Sequence, residues 1–230
     1  MDATPTYERT RARVEDYFDR TATRTWERLT SDAPVSGIRA TVRAGRDRMR
    51  HLMLSRLPSE LNGARVLDAG CGTGAMAVEL ARRGADVVAI DISPALIGIA
   101  QRRCPANLAG RITFRAGDML APELGRFDYA LAMDSMIYYG AEDVAGCLAR
   151  LRPRLAESFV FTLAPRTPLL MAMWRAGQMF PRSNRAPTMV PHSHKGITRA
   201  MRRAGVGGAL VPVDRVTSGF YISSAMEFRP

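Results

Sequence analysis

An apolar run, Ala64-Arg-Val-Leu-Asp-Ala69, leads directly into a turn with glycine at every second position, Gly70, Gly72 and Gly74. Glycines between a strand and a helix let the backbone turn sharply and approach a ligand closely, so this stretch admits few folds. A helical pattern follows from Thr73 to Arg83, and the alternation then repeats. Asp86 to Asp91 reads as a second strand, and Ser93-Pro94 caps and opens a helix to about Arg103. Arg111 to Ala116 and Phe127 to Met133 read as strands three and four, Glu142 to Leu151 as a helix, and Ser158 to Leu163 as strand five. Alternating elements of these lengths predict a parallel sheet with helices on both faces. Gly208–Val216 and Gly219–Phe228 read as a closing antiparallel pair, giving a mostly parallel, seven-stranded α/β sheet. A chain of 230 residues suits one such domain.

The flanks read differently. Residues 7–31 place Val14, Tyr17, Phe18, Trp26 and Leu29 at helical spacing, and Ser36 to Leu57 continues with Ile38, Val42, Met49, Leu52, Met53 and Leu57 on one stripe. Pro58 to Gly63 is a break, so residues 1–60 are expected to form an N-terminal helical cap or lid over a core of 61–230. Residues 165–204, rich in Met, Arg and Pro, are expected to be a substrate-binding helical insertion before the last strand pair.

Composition narrows the setting. Hydrophobic residues make up 47% and charged residues 24%, the balance of a soluble globular chain. No run of about 18 uninterrupted apolar residues exists; the nearest, Ser158 to Trp174, is broken by Pro165, Arg166 and Pro168. The start, Met-Asp-Ala-Thr-Pro, has no basic-then-apolar signal pattern. Three widely spaced cysteines, Cys71, Cys104 and Cys147, exclude a disulfide scaffold and point to a reducing, cytoplasmic setting.

The net charge is +11, and all the basic residues but Lys195 are arginines. Residues 63–135 are balanced, with eight basic and eight acidic groups, while residues 1–57 hold 12 against 8 and residues 136–230 hold 13 against 5. A basic surface suits nucleic acid, anionic lipid, an acidic partner or an anionic small molecule.

The glycine turn carries the strongest chemical signal. Asp68 stands two residues before Gly70, at a strand end where a ligand ammonium would sit, giving D-x-G-x-G-x-G through Cys71 and Gly74. Asp91, followed by Ile92, ends the second strand where a ribose-binding carboxylate is expected. Gly117-Asp118-Met119 follows strand three, in place to contact an adenine edge. An amino-acid head, a ribose and an adenine together describe S-adenosylmethionine (SAM), whereas NAD would want phosphate-binding groups in place of Asp68. Cys71 reads as a small side chain filling the turn, since nothing local favours a thiolate. Residues 64–134 resemble class I SAM-dependent methyltransferases, which implies their Rossmann-like fold and a cofactor set that extends to Asp134.

After strand four the chain reads Asp134-Ser-Met-Ile-Tyr138-Tyr139, without the N/D-P-P-Y/F motif of methyltransferases that act on nucleobase amino groups. That argues against an RNA substrate, and no RNA-binding module is appended. A carboxylate substrate, with a pKa near 4–5, is already the nucleophile at pH 7 and needs no general base. Arginines suit such an anion, but a tight bidentate clamp would blunt its nucleophilicity, so loose steering is expected.

Almost the full chain resembles the magnesium-protoporphyrin IX methyltransferase family of (bacterio)chlorophyll biosynthesis. The resemblance rests on Asp16-Tyr-Phe18, Trp26-Glu-Arg28, Arg43-x-Gly45-Arg46, Asp91-Ile-Ser93, Phe127-Asp128, Asp134 through Tyr139, Phe161-Thr-Leu-Ala-Pro165, Thr167-Pro168 and Phe180-Pro181. It implies esterification of one propionate of the magnesium porphyrin, with SAM as donor and S-adenosylhomocysteine (SAH) as product. It also implies contact with the porphyrin-binding subunit of magnesium chelatase and peripheral membrane association. No protein-bound metal is expected, because the magnesium belongs to the substrate. Cyanobacterial and plant members tend to have Tyr in place of Thr30 and His in place of Tyr138. Tyr138 is therefore the nearest candidate to orient the propionate, and Tyr17 the second, in a helix able to close over SAM. His192-Ser-His194 would serve as a metal or axial porphyrin ligand, or near a helix cap. The alternatives are methylation of another small amphiphilic substrate, or a porphyrin-binding delivery protein built on the SAM fold.

Overall fold

The computed structural model describes residues 6–19, 23, 27, 30, 37–168, 170, 171 and 187–230. The parallel strands β1 (Arg65–Ala69), β2 (Asp86–Asp91), β3 (Ile112–Ala116), β4 (Phe127–Ala132) and β5 (Leu155–Pro165) lie in the order 3-2-1-4-5. A two-residue strand, β6 (Pro191–His192), pairs with the end of β5. The antiparallel pair β7 (Ala209–Ser218) and β8 (Tyr221–Arg229) completes the sheet, with β8 against β5 and β7 at the edge. The seven strands read from the sequence are thus present, and β6 is an addition. Pro212 sits in β7, where an edge position tolerates a residue that cannot donate.

Strands buried on both faces read as continuous Val/Ile/Leu runs, and here their alternate residues supply two cores. Leu67, Ala69, Val88 and Ile90 enter one; Val66, Val87 and Ala89 enter the other. The described helices are α1 (Thr6–Tyr17), α2 (Gly37–Leu54), α3 (Ala75–Arg82), α4 (Pro94–Arg103), α5 (Ala141–Leu151) and α6 (His194–Arg203). The first core is closed by α5 and α6 through Val144, Leu148, Ile197 and Met201, the second by α2, α3 and α4 through Met49, Met53, Leu80 and Ile97. The Ser93 cap holds as expected, its hydroxyl accepting from the Leu96 N–H at 3.2 Å. The helix after β1 starts at Ala75 rather than Thr73, because Gly74 still has a left-handed φ of 84°.

Within the stretch expected as a cap, α2 is part of the core: Met49 and Met53 are fully buried, and the helix packs on β7 and β8. The apolar stripe of α2 is long enough to form a layer of the fold itself. Likewise, residues 194–203, inside the expected insertion, form a core helix packed on α5. Most of the Met-rich part of the expected insertion, residues 172–186 with Met173, Met179, Phe180 and Pro181, lies outside the described residues, as do Trp26 and Leu29.

Because the order runs 3-2-1-4-5, the chain leaves β1 in one direction and returns to β4 on its other side. Open α/β sheets bind ligands in the crevice that such a reversal leaves at the carboxyl ends of the strands. The glycine turn after β1, Asp91 in β2, Gly117 after β3 and Asp134 after β4 all meet there.

Candidate active site

A cavity of about 300 Å³ opens at this crevice. Its floor is acidic. Gly70, Gly72 and Gly74 have φ of 77°, 54° and 84°, so all three occupy the left-handed region that favours glycine. The turn they make brings the Gly72 N–H to Asp91 Oδ2 at 2.8 Å, while the Ser93 N–H donates to Oδ1 at 2.9 Å. Asp68 is 1% exposed, and its Oδ2 has no hydrogen-bond partner among the described residues. Burial, then the neighbouring Asp91 charge, push its carboxyl up to about 7, against the pull of an Ala77 N–H and the Arg50 charge. Burial pushes Asp91 up to about 6 despite its two backbone donors. A buried carboxylate with an unpartnered oxygen, facing a cavity, is the complement of a cationic ligand group. Cys71 lies in the same wall; burial first, then Asp68 and Asp91, raise its thiol well above the ordinary value, so it packs rather than reacts.

One wall is basic. Arg43, Arg46 and Arg50 recur at spacings of three and four on α2 and line the cavity, together with Asp47. Arg50 donates to Asp47 Oδ1 at 2.5 Å and is near enough to Asp68 to lower its pKa. Arg46, one turn earlier, donates to Asp134 Oδ2 at 2.6 Å. Asp134 is a non-glycine residue at positive φ, 57°, and its carboxylate has several partners. Tyr221 donates to Oδ1 at 3.0 Å, and the Thr162 hydroxyl donates there at 3.3 Å while accepting from the Asp134 N–H at 2.8 Å. Gly45 explains how Tyr221 arrives. A Cβ at Gly45 would fall 2.7–2.9 Å from the Tyr221 ring, so only glycine lets the ring lie flat on α2.

The roof is α1. The Tyr7 hydroxyl donates to Asp118 Oδ1 at 2.7 Å, Arg11 to Asp118 Oδ2 at 2.8 Å, and the Tyr7 ring stacks on Tyr139 with centroids 5.0 Å apart. Ser93 donates to Asp19 at 2.5 Å, a second tie between this end of the chain and the cofactor side.

Comparison with known proteins decides the family. Residues 132–230 match the family described as magnesium-protoporphyrin IX methyltransferase C-terminus, and residues 66–158 match a general methyltransferase domain. The magnesium-protoporphyrin O-methyltransferase of Rhodobacter capsulatus is 57% identical over 97% of this chain and 98% of its own length. The Synechocystis enzyme of the same name is 28% identical over 93% of this chain and 94% of its own.

This chain belongs to the magnesium-protoporphyrin O-methyltransferase family.

The crystal structure of the Synechocystis family member with bound SAH superposes with a TM-score of 0.77 at 27% identity, over 94% of this chain and 97% of that one. The protein is accordingly a SAM-dependent methyltransferase with the class I fold. The family's cofactor fits the residues present: the unpartnered Asp68 oxygen suits an ammonium, and Asp91 suits a ribose. Of the expected cofactor set, Asp68, Gly70, Cys71, Gly72, Asp91, Ile92, Gly117, Met119 and Asp134 line the cavity. Gly74 supports it from behind, where a Cβ would press on Ala100 and Phe114 at 3.1 and 3.3 Å. The Asp118 carboxylate, between Gly117 and Met119, accepts from Tyr7 and Arg11 of α1. Asp134, in the cavity lining, has its oxygens engaged by Arg46, Tyr221 and Thr162.

The two expected catalytic tyrosines part company. Tyr138 lines the cavity, and burial, then the charges of Asp134 and Tyr17, raise its hydroxyl above the ordinary phenol value. Phe18 rather than Tyr17 is the cavity-lining residue at the end of α1, with its ring edge-on to Tyr138 at 6.3 Å and to Tyr17 at 5.3 Å. Thr30, where other family members tend to have Tyr, also lines the cavity and accepts from Arg103 at 3.0 Å. Neither His192 nor His194 faces the cavity: their Nε2 atoms bond the backbone oxygens of Tyr139 and Leu210 at 2.8 and 2.9 Å, and Ser193 caps α6. Burial lowers the His192 pKa, favouring the neutral ring. Among the described residues no group of three or more His, Cys, Asp or Glu is placed to hold a metal, and no helix is long and apolar enough to cross a membrane. The functional residues the motifs left without a role are Arg50, Tyr7 and Tyr221; Gly45 and Arg46 stood in the Arg43-x-Gly45-Arg46 signature with no stated contact.

Proposed function

We propose that this protein esterifies one propionate of magnesium protoporphyrin IX, giving the monomethyl ester in (bacterio)chlorophyll biosynthesis. The observation that carries the reading is an acidic floor and an arginine wall in one cavity. Asp68 and Asp91 face the cationic, ribose-bearing donor, and the α2 arginines face an anionic acceptor. SAM, when bound, supplies the electrophilic methyl group and leaves as SAH. Asp68 holds the amino-acid head, Arg50 beside it takes the head's carboxylate, and Asp91 receives the ribose hydroxyls. Gly117 and Met119 border the adenine.

No proton has to be removed from the acceptor, because a propionate is ionised at neutral pH. Tyr138 therefore acts as a donor. With its pKa raised by burial and by Asp134, it keeps its proton and orients the propionate without serving as a base. Rate enhancement then comes from positioning a carboxylate oxygen in line with the methyl carbon, and from the water exclusion that α1 provides. The resemblance supports two further parts of the reading: delivery of the porphyrin by the porphyrin-binding subunit of magnesium chelatase, and peripheral contact with a membrane.

The test is methyl transfer from radiolabelled SAM to magnesium protoporphyrin, metal-free protoporphyrin and a small carboxylic acid. Ester formation confined to the porphyrins is the expected result. Bound porphyrin with no ester in a single turnover would make the protein a binder, and faster transfer to the small acid would point to another substrate. Affinity capture with the chelatase subunit, and sedimentation with vesicles, test the two contacts.

A further inference from the structure

We propose that Arg46 receives the substrate propionate and that Asp134, positioned by Tyr221, Gly45 and Thr162, limits how tightly it grips. The inference rests on the substrate reading above and assigns the specificity contact that reading leaves open.

Three arginines on α2 line the cavity, and the chain orders them. An α-helix rises about 1.5 Å per residue, so Arg50 and Arg46 stand one turn apart. Arg50 is the one whose charge reaches Asp68, at the donor's amino-acid end. Arg46 sits at the other end, on Asp134 and near Tyr138, whose hydroxyl feels both of their charges. It is thus the arginine beside the segment after β4, where the acceptor meets the donor.

A free guanidinium there would form a bidentate pair with a carboxylate. Such a pair stabilises the ground state of the nucleophile and withdraws the charge that must attack, so it lowers KM at the expense of kcat. The structure avoids this by giving Arg46 an internal anion. Asp134 is held by the Tyr221 hydroxyl, by Thr162 through a two-way exchange of hydrogen bonds, and by a left-handed backbone. Gly45 exists on α2 so that the Tyr221 ring can reach it. Asp134 and Tyr221 are positioning residues: they act on the substrate only through Arg46.

The test is a double-mutant cycle of Asp134→Asn and Arg46→Gln. Asn tolerates positive φ much as Asp does, so the backbone is kept. The readouts are porphyrin affinity by fluorescence titration without SAM, and the KM and kcat of methyl transfer. Asp134→Asn alone is expected to tighten magnesium protoporphyrin binding by about fivefold while lowering kcat by about tenfold. In the Arg46→Gln background, Asp134→Asn should leave porphyrin affinity unchanged within about twofold. Tyr221→Phe, which alters no charge at neutral pH, should shift KM and kcat in the same directions by a smaller factor, with SAH-induced thermal stabilisation intact as proof of folding.

An Asp134→Asn effect that persists undiminished without Arg46 would be a long-range charge effect and would overturn the proposal. So would weaker porphyrin binding in Asp134→Asn with SAH stabilisation retained. A wild-type protein that forms no porphyrin ester fails the substrate reading instead, and that result is read before the cycle begins.

Discussion

Replacing Asp68 with Asn separates two opposing effects of one carboxylate. In the free protein this group is 1% exposed, has an oxygen without a partner among the described residues and is pushed up to about 7 from 3.8. A shift of about three units corresponds to about 4 kcal/mol between its two protonation states. The folded pKa lies above the unfolded one, so the native state binds more protons between pH 4 and 7, and the free protein loses stability as pH rises through that window. Asn carries no charge and should remove that slope. At pH 7 the unliganded variant is expected to be more stable than wild type by on the order of 2–3 kcal/mol, several degrees in Tm for a domain of this size. Ligand binding should move the other way. Loss of the buried partner of an ammonium costs about 3 kcal/mol, which raises the Kd for SAH at least about a hundredfold. In wild type, SAH needs the ionised carboxylate, so its affinity should fall at least about tenfold from pH 7.5 to 5.5. Thermal unfolding against pH, with and without SAH, and calorimetric titration of SAH measure all of this. A variant less stable than wild type without ligand, yet stabilised by SAH as strongly as wild type, would refute the assignment of Asp68 as a strained, cation-binding acid.

Three other substitutions probe the rest of the cavity. Asp91→Ala removes the group held by the Gly72 and Ser93 N–H donors and facing the ribose, so SAM affinity measured by calorimetry should drop by about ten- to a hundredfold; unaltered affinity counts against the site. Tyr138→Phe should lower kcat by about tenfold or more while changing SAM affinity little, and unchanged turnover removes Tyr138 from the mechanism. Gly45→Ala improves helix propensity by about 1 kcal/mol, yet its Cβ would press on the Tyr221 ring at 2.7 Å, so a net loss of about 1–3 kcal/mol is expected in denaturant unfolding. A raised midpoint would show that the ring moves aside freely.

The β1–α3 turn was legible because everything that makes it lies within a few residues. Asp68, three alternating glycines and the following helix are a local pattern, and each glycine has a left-handed φ. Asp91 was legible for the same reason, through its place at a strand end. The basic side of the cavity was not. Asp134 meets Arg46 across 88 residues and Tyr221 across 87, and no spacing rule links positions so far apart. The sequence marked Arg43-x-Gly45-Arg46 as a signature without revealing what the glycine does; its reason appears only when an aromatic ring from β8 lies on it. The partners of Asp118 were hidden in the same way: Tyr7 and Arg11, more than a hundred residues earlier, donate to its carboxylate. The packing of α2 was hidden because a helix's apolar stripe says that it packs, not on what, and α2 packs on the last two strands of the chain.

The net charge of +11 takes on a definite meaning once it is placed in space. The balanced stretch 63–135 contributes three acids of the cavity, Asp68, Asp91 and Asp134, while the basic excess before residue 57 includes the arginines that face them from α2, beside Asp47. A cationic donor and an anionic acceptor make opposite demands within a few ångströms. Acids alone would hold the donor and repel the propionate; arginines alone would hold the propionate too well to let it react. Asp134, the only described non-glycine residue at positive φ, stands where the two fields meet and is bonded to the arginine that faces the acceptor. The strained backbone and the ion pair are thus one feature, and a functional site is where such strain is expected to persist.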